Sequence, residues 1–313
     1  MKRNDDINNS RALLILLVIL VHIVPFTTLH PQLKASILAF MMPTFLLITG
    51  YLVNVKKDLC RFGIYYLGIL VPYIVMTVAY SVASYFLPVR DGIHVLSVNV
   101  IMDKILVTSI GPYWFLHTML ICGLLYYACF TVPLHKEYKI ERMLVFGILL
   151  LLLSIFTPLL SLKIALFYFI GALLRQTECD FTKVFYETPL SLVPFCILIS
   201  NNEFYDWGLI TVLILVYCFI SFSSWIYGYL KGTKINKYII ILGMNTFPVY
   251  IFHPVFTMAA KFYKPLLAFE PSGCLLAVVT LVLAVLGSIL VAWILDKTKM
   301  CYLLGKKKIL RFD

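Results

Sequence analysis

The sequence predicts an all-α integral membrane protein, a polytopic bundle of about ten transmembrane helices forming a single domain over residues 1–313, with both termini cytoplasmic. Three observations predict it. The first is composition: of 313 residues, 62% are hydrophobic and 13% charged, against about 45–50% and about 25% in an ordinary globular domain. A soluble fold of this length cannot hide so much apolar surface, which makes the bilayer the solvent. The second is that the apolar residues gather into segments of about 20, the length a helix needs to cross a bilayer at 1.5 Å per residue. The third is the uneven distribution of Lys and Arg between those segments.

The first span, 11–29, opens with 11-RALLILLVILVH-22. No small-residue cleavage site follows it, and VHIVPFTTLHPQLK leads straight into a second apolar segment at 36–54. The first segment is therefore expected to stay as a helix. Spans at 64–87, 113–133 and 143–160 follow. The next two, 162–176 and 187–201, are short, and the latter contains Pro194. Proline is tolerated in membrane helices when neighbours or water satisfy the freed carbonyl. Read as a re-entrant hairpin, this pair would leave eight spans. Segments 207–228, 238–260 and 274–295 complete the ten. The longest connection, 88–112, is expected outside with a short interfacial helix. No internal repeat, low-complexity tract or soluble domain interrupts the series.

With the N-terminus inside, 20 of the 26 basic residues fall on the inner side: Lys2, Arg3, Arg11, Lys56, Lys57, Arg61, Lys136, Lys139, Arg142, Arg175, Lys183, Lys231, Lys234, Lys237 and six near the C-terminus. The other six are Lys34, Arg90, Lys104, Lys163, Lys261 and Lys264. That is a positive-inside pattern. It accounts for most of the net charge of +11 through chain orientation and anionic lipid rather than nucleic acid.

The eight cysteines and six histidines form no CxxC pair and no zinc-type cluster, so neither a metal site nor a disulfide framework is expected. Cys122, Cys129, Cys196 and Cys218 lie in apolar stretches, where a thiol acts as a small hydrophobe. Asp and Glu occur only in loops and at span ends. That argues against a proton- or cation-coupled transporter and removes a carboxylate dyad from consideration.

Ionisable groups inside spans are candidates for function because the bilayer makes each expensive. Arg11 and His22 are eleven residues apart; at about 100° per residue both share one helix face, separated by about 16 Å along the axis. Arg11 then sits at the cytoplasmic interface and His22 near mid-membrane. The pair suits a long substrate with an anionic head, held by guanidinium, and a reactive end, where imidazole takes a proton. The plainer alternative has Arg11 anchoring the helix end and His22 hydrogen-bonding within the bundle. Spacing leaves both open. His253, in 241-ILGMNTFPVYIFHPVF-256, is accompanied by Asn245, Tyr250 and Pro254, so its helix carries polar groups and kinks. A structural hydrogen bond is the plainer role for it. His117 and Trp114, in 113-YWFLHTML-120, sit where an aromatic belt is also expected. His30, His94 and His135 are read as solvated loop residues.

Five segments together resemble the acyltransferase-3 family of bacterial multi-pass membrane enzymes that O-acylate surface sugars. Arg11 and His22 match the arginine–histidine spacing of its first helix. The stretch 42-MPTFLLITGYL-52 is similar to its "MPLFFFISGYL" segment. Likewise 113-YWFLHTML-120 resembles "WFL", 167-FYFIGALLR-175 resembles "FFFLGYLLR", and 242-LGMNTFPVYIFHP-254 resembles "LGxNSLxIYLxHP". The five run in the family's order over positions 11 to 254. The resemblance implies transfer of an acyl group, acetyl being the expected one, from cytoplasmic acyl-CoA as co-substrate to a hydroxyl of a surface polysaccharide or lipid-linked glycan. It implies His22 as catalytic base and Arg11 in the neighbouring basic role. No bound cofactor is expected, and the cytoplasmic (inner) membrane is the expected location. Trp114, His117, Asn245, Tyr250 and His253 become candidates for an acceptor or supporting site. Two positions depart from the family pattern. Asn8 stands where an aspartate is common, and 61-RFGIYYLGILVPY-73 lacks an Arg-x-x-Arg pair before Pro72. Lys56, Lys57 and Arg61, further back, are the candidates to supply that charge for acyl-CoA. A transporter or flippase of a glycan or lipid intermediate, and a non-catalytic membrane subunit, are the alternatives.

Overall fold

A computed structural model describes residues 4–87, 92–131 and 139–312. The described residues are helical throughout, with no strand. In chain order the helices are α1 (Asp5–His22), α2 (Val24–Leu29), α3 (Pro31–Leu52), α4 (Leu59–Phe86), α5 (Val98–Leu106), α6 (Trp114–Thr131), α7 (Lys139–Phe156), α8 (Leu162–Gln176), α9 (Phe181–Val184), α10 (Leu192–Ile199), α11 (Ile210–Leu230), α12 (Lys234–Met244), α13 (Thr246–Tyr263) and α14 (Cys274–Lys297).

Five helical stretches are long and apolar enough to cross a membrane: Pro31–Leu52, Leu59–Phe86, Val98–Thr131, Ile210–Leu230 and Cys274–Lys297. A sixth arises if α12 and the helix that follows it, bent by 82° at their junction, count as one span. α1 and α7 each have 18 residues but carry three charged groups near one end (Asp5, Asp6 and Arg11; Lys139, Glu141 and Arg142). α8 has 15 residues, and the 187–201 segment yields only a short apolar helix, Pro189–Ile199.

Helix ends follow local chemistry. The expected 11–29 helix is in fact broken: α1 starts at Asp5 because the Asn4 side chain accepts the Ile7 N–H at 3.2 Å, and it stops at His22. Ile23 leaves helical geometry (φ −79°, ψ 83°) two residues before Pro25, whose missing N–H cannot continue the ladder. The expected 238–260 span breaks at Asn245. α4 is capped by Asp58, which accepts the Arg61 N–H at 3.2 Å, and it runs through Pro72. The short helix expected in the 88–112 connection is α5, none of whose residues is buried. Lys2, Arg3, Arg90, His135 and Lys136 lie outside the described residues.

The chain forms two compact units. One comprises Met1–Phe45, Cys179–Cys301 and Lys308–Asp313, and the other Leu46–Glu178 and Tyr302–Lys307. In the first unit α1 packs against α11, α12, α13 and α14. Its start is clamped by buried polar groups: Asn9 Nδ2 donates to the Ser223 carbonyl at 2.8 Å, and the Ser10 and Ser223 hydroxyls are 2.5 Å apart. Gly243 allows α12 to close on α1, since a Cβ there would lie 1.9 Å from the Asn8 carbonyl oxygen.

In the second unit α4, α6, α7 and α8 surround an aromatic core in which Phe62 and Tyr127 stack at 3.5 Å and Tyr126 and Phe146 lie 5.2 Å apart. The end of α3 meets α8 through reciprocal glycines. A Cβ on Gly50 would fall 2.2 Å from the Tyr168 oxygen, and one on Gly171 2.0 Å from the Leu47 oxygen.

Candidate active site

Five of the residues singled out from sequence, Arg11, His22, Asn245, Tyr250 and His253, fall in the first unit. α1 is continuous from Asp5 to His22, so Arg11 and His22 do share one face about 16 Å apart. α13 runs beside it in the same direction. At one end Arg11 Nη2 donates to Thr246 Oγ1 at 2.5 Å. At the other, the rings of His22 and His253 meet edge to face, centroids 5.1 Å apart and planes at 69°. Seven residues of α13, roughly 10 Å of rise, and the length of the arginine side chain thus span the same distance as eleven residues of α1.

Hydrogen bonding sets the state of each imidazole. His22 Nδ1 lies 2.6 Å from the Val18 carbonyl oxygen. A carbonyl only accepts, so Nδ1 carries the hydrogen and the neutral ring keeps its lone pair on Nε2. His253 is arranged alike, with Nδ1 2.8 Å from the Tyr250 carbonyl oxygen. Its ring is fully buried, and its Nε2 has no hydrogen-bond partner among the described residues. His22 is half-buried. The site therefore offers two lone pairs on adjoining rings and, at the far end, a guanidinium. Such a set can take a proton from a hydroxyl and hold an anion roughly 10 Å away along the helix axis.

The break between α12 and α13 is tied to the end of the chain. Asn245 Nδ2 donates to the Arg311 carbonyl at 2.6 Å, and its Oδ1 accepts the Arg311 N–H at 2.8 Å. Asp296 accepts the N–H groups of Ile309 and Leu310 at 2.8 and 3.0 Å. Asn245 thus holds backbone. Before Arg11, at the start of α1, burial raises the Asp6 carboxyl above its ordinary range, and Glu187 and Asp5 push the same way.

An acyltransferase-domain family model matches residues 4–297. The chain belongs to the acyltransferase-3 family. The match takes in nearly the whole chain, including Arg11, His22, Thr246 and His253, whereas no curated protein and no solved structure matches. Acyltransferase-3 proteins are membrane acyltransferases, and the apolar helices of this member agree with that.

The remaining candidate residues of this acyltransferase-3 chain lie in its second unit. Lys56 and Arg61 are exposed and Lys57 half-buried. Lys57 lies over the Tyr65 ring at 4.7 Å, and Arg61 pairs with Asp58 at 3.2 Å. Lys56 reaches Glu178 at 3.7 Å, where Lys139 also binds at 2.8 Å. The hydrogen bond and charge of Lys139, with Lys56 behind, hold the Glu178 carboxyl below its ordinary range. Trp114 is half-buried at the start of α6. His117 caps a helix: its Nε2 donates to the Leu106 carbonyl at 3.2 Å, while the Tyr73 hydroxyl donates to that of Ile105 at 2.8 Å. Both satisfy carbonyls left open at the C-terminus of α5.

Sequence reasoning missed Thr246, Ser223 and Asp296. Each acts on a partner distant in the chain, and no periodicity or local motif marks such pairs. Pro254 was read only as a kink.

Proposed function

We propose that this protein is a membrane O-acyltransferase that moves an acetyl group from cytoplasmic acetyl-CoA to a hydroxyl of a surface polysaccharide or lipid-linked glycan. It would sit in the cytoplasmic (inner) membrane, with ten spans and both termini inside. The observation that carries the reading is the Nδ1–H bond of His22 to Val18, which leaves the Nε2 lone pair of a half-buried ring available as a base. As the acceptor oxygen attacks the thioester carbonyl, its hydrogen passes to His22 Nε2. The C–S bond then breaks, and the CoA sulfur takes the proton. Arg11 is assigned to the phosphates of the donor, and the family resemblance separately suggests Lys56, Lys57 and Arg61 of the second unit for acyl-CoA. Asn245, Tyr250 and His253 are assigned to the acceptor or to its support, and the family resemblance separately suggests Trp114 and His117 of the second unit for a supporting role.

The test is label transfer from radiolabelled acetyl-CoA to extracted glycans in membranes containing the protein. His22→Ala is expected to cut turnover by roughly 10²–10⁴-fold, the usual worth of a general base, without a change in melting behaviour. Normal transfer by that variant would sink the mechanism. Glycan movement without consumption of acyl-CoA would identify a transporter instead.

A further inference from the structure

The acyl-transfer reading, on which the following rests, gives His22 a task and leaves the ring against it without one. His253 is followed by Pro254 within α13. Proline has no N–H, so the carbonyl four residues back, that of Tyr250, is denied its i+4 backbone donor. His253 Nδ1 lies 2.8 Å from that oxygen. The proline thus presents the acceptor, the preceding histidine fills it, and the hydrogen is held on Nδ1.

The consequence falls on Nε2. It bears a lone pair, is fully buried and has no hydrogen-bond partner among the described residues. Buried polar atoms are nearly always paired, and one left bare calls for an explanation, a catalytic role among them. His22 cannot supply the missing hydrogen while neutral, because its own Nδ1–H is given to Val18. Two imidazoles in edge-to-face contact at 5.1 Å therefore present acceptors and no donor. The complement is a hydrogen-bond donor, which a hydroxyl supplies.

We propose that Pro254 fixes the tautomer of His253 so that its Nε2, beside His22, receives a hydrogen bond from a hydroxyl of the acyl acceptor other than the one that His22 deprotonates. His253 then binds and orients the acceptor, while His22 takes the proton. Both rings must present lone pairs, and Pro254 secures this at His253 whether or not the acceptor is bound.

Two measurements test this on the full chain in lipid nanodiscs. In ¹⁵N-histidine NMR, His253 is expected as the Nδ1–H tautomer in the native protein. In Pro254→Ala, whose restored N–H competes for the Tyr250 carbonyl, it is expected as a mixture of tautomers. A native His253 carrying its hydrogen on Nε2, or a tautomer indifferent to Pro254→Ala, overturns the proposal. In the label-transfer assay with extracted glycans, Pro254→Ala and His253→Phe are each expected to raise the acceptor KM by roughly tenfold, the effect of about 1.4 kcal/mol, leaving the acetyl-CoA KM unchanged. A proline without this role predicts an unmoved acceptor KM for Pro254→Ala. Absence of transfer by the native protein would defeat the acyl-transfer reading; the tautomer result would then stand apart, and the assignment of the hydroxyl to an acyl acceptor would fall with that reading.

Discussion

Arg11 differs from the other basic residues because α1 holds it at a fixed distance from His22. Its guanidinium reaches across to Thr246 Oγ1, which directs it toward the α12–α13 break. A hydrogen bond to a charged group is worth about 1.5–3 kcal/mol, so Arg11→Ala is expected to weaken acetyl-CoA binding by roughly 10–100-fold. Arg11→Lys should recover only part of that, since an ammonium lacks the planar fork that grips phosphate. Thr246→Val keeps the charge and loses only the anchor, so its effect should be the smaller. Equilibrium binding of labelled acetyl-CoA to the purified protein decides, and unchanged affinity in Arg11→Ala would remove that residue from the donor site.

At the scale of elements, packing rests on positions where a helix has no side chain at all. Gly243 lets α12 lie against α1, and a methyl group there would sit 1.9 Å from the Asn8 carbonyl. Backbone cannot rotate away as a side chain can. Gly243→Ala is therefore expected to destabilise the first unit by about 1–3 kcal/mol, the range for overpacking, seen as a lower melting temperature. An unaltered melt would mean that α12 is free to shift. The same packing shows what was legible beforehand. Apolar runs announced most of the helices, and the spacing of Arg11 and His22 held because α1 is regular. The breaks at Ile23 and Asn245 were not announced. The first reflects Pro25, visible in sequence but inside an apolar run that reads as one continuous span. The second is bound up with Arg311, 66 residues away. The cost of polar groups inside a span marks His253, with Asn245 beside it, but nothing local says that His253 meets a ring 231 positions earlier.

For the whole molecule, the choice between the proposed ten spans and eight turns on the segment between α7 and α11. α8 is about 22 Å long and Pro189–Ile199 about 16 Å, both short of a hydrocarbon core of about 30 Å. If both nevertheless cross, Lys183 is cytoplasmic and the ten-span arrangement holds. If neither does, everything from the end of α7 to the start of α11 lies outside, and Arg175 and Lys183 join the outer basic residues. The positive-inside pattern favours the first arrangement, and local thinning of the bilayer accommodates short spans at modest cost. Single cysteines in a background cleared of the eight native ones separate the two. A membrane-impermeant maleimide applied to intact cells should label position 34 or 261 directly. It should reach position 183, like 57 and 234, only after permeabilisation. Labelling of position 183 in intact cells would reduce the spans to eight while keeping both termini inside.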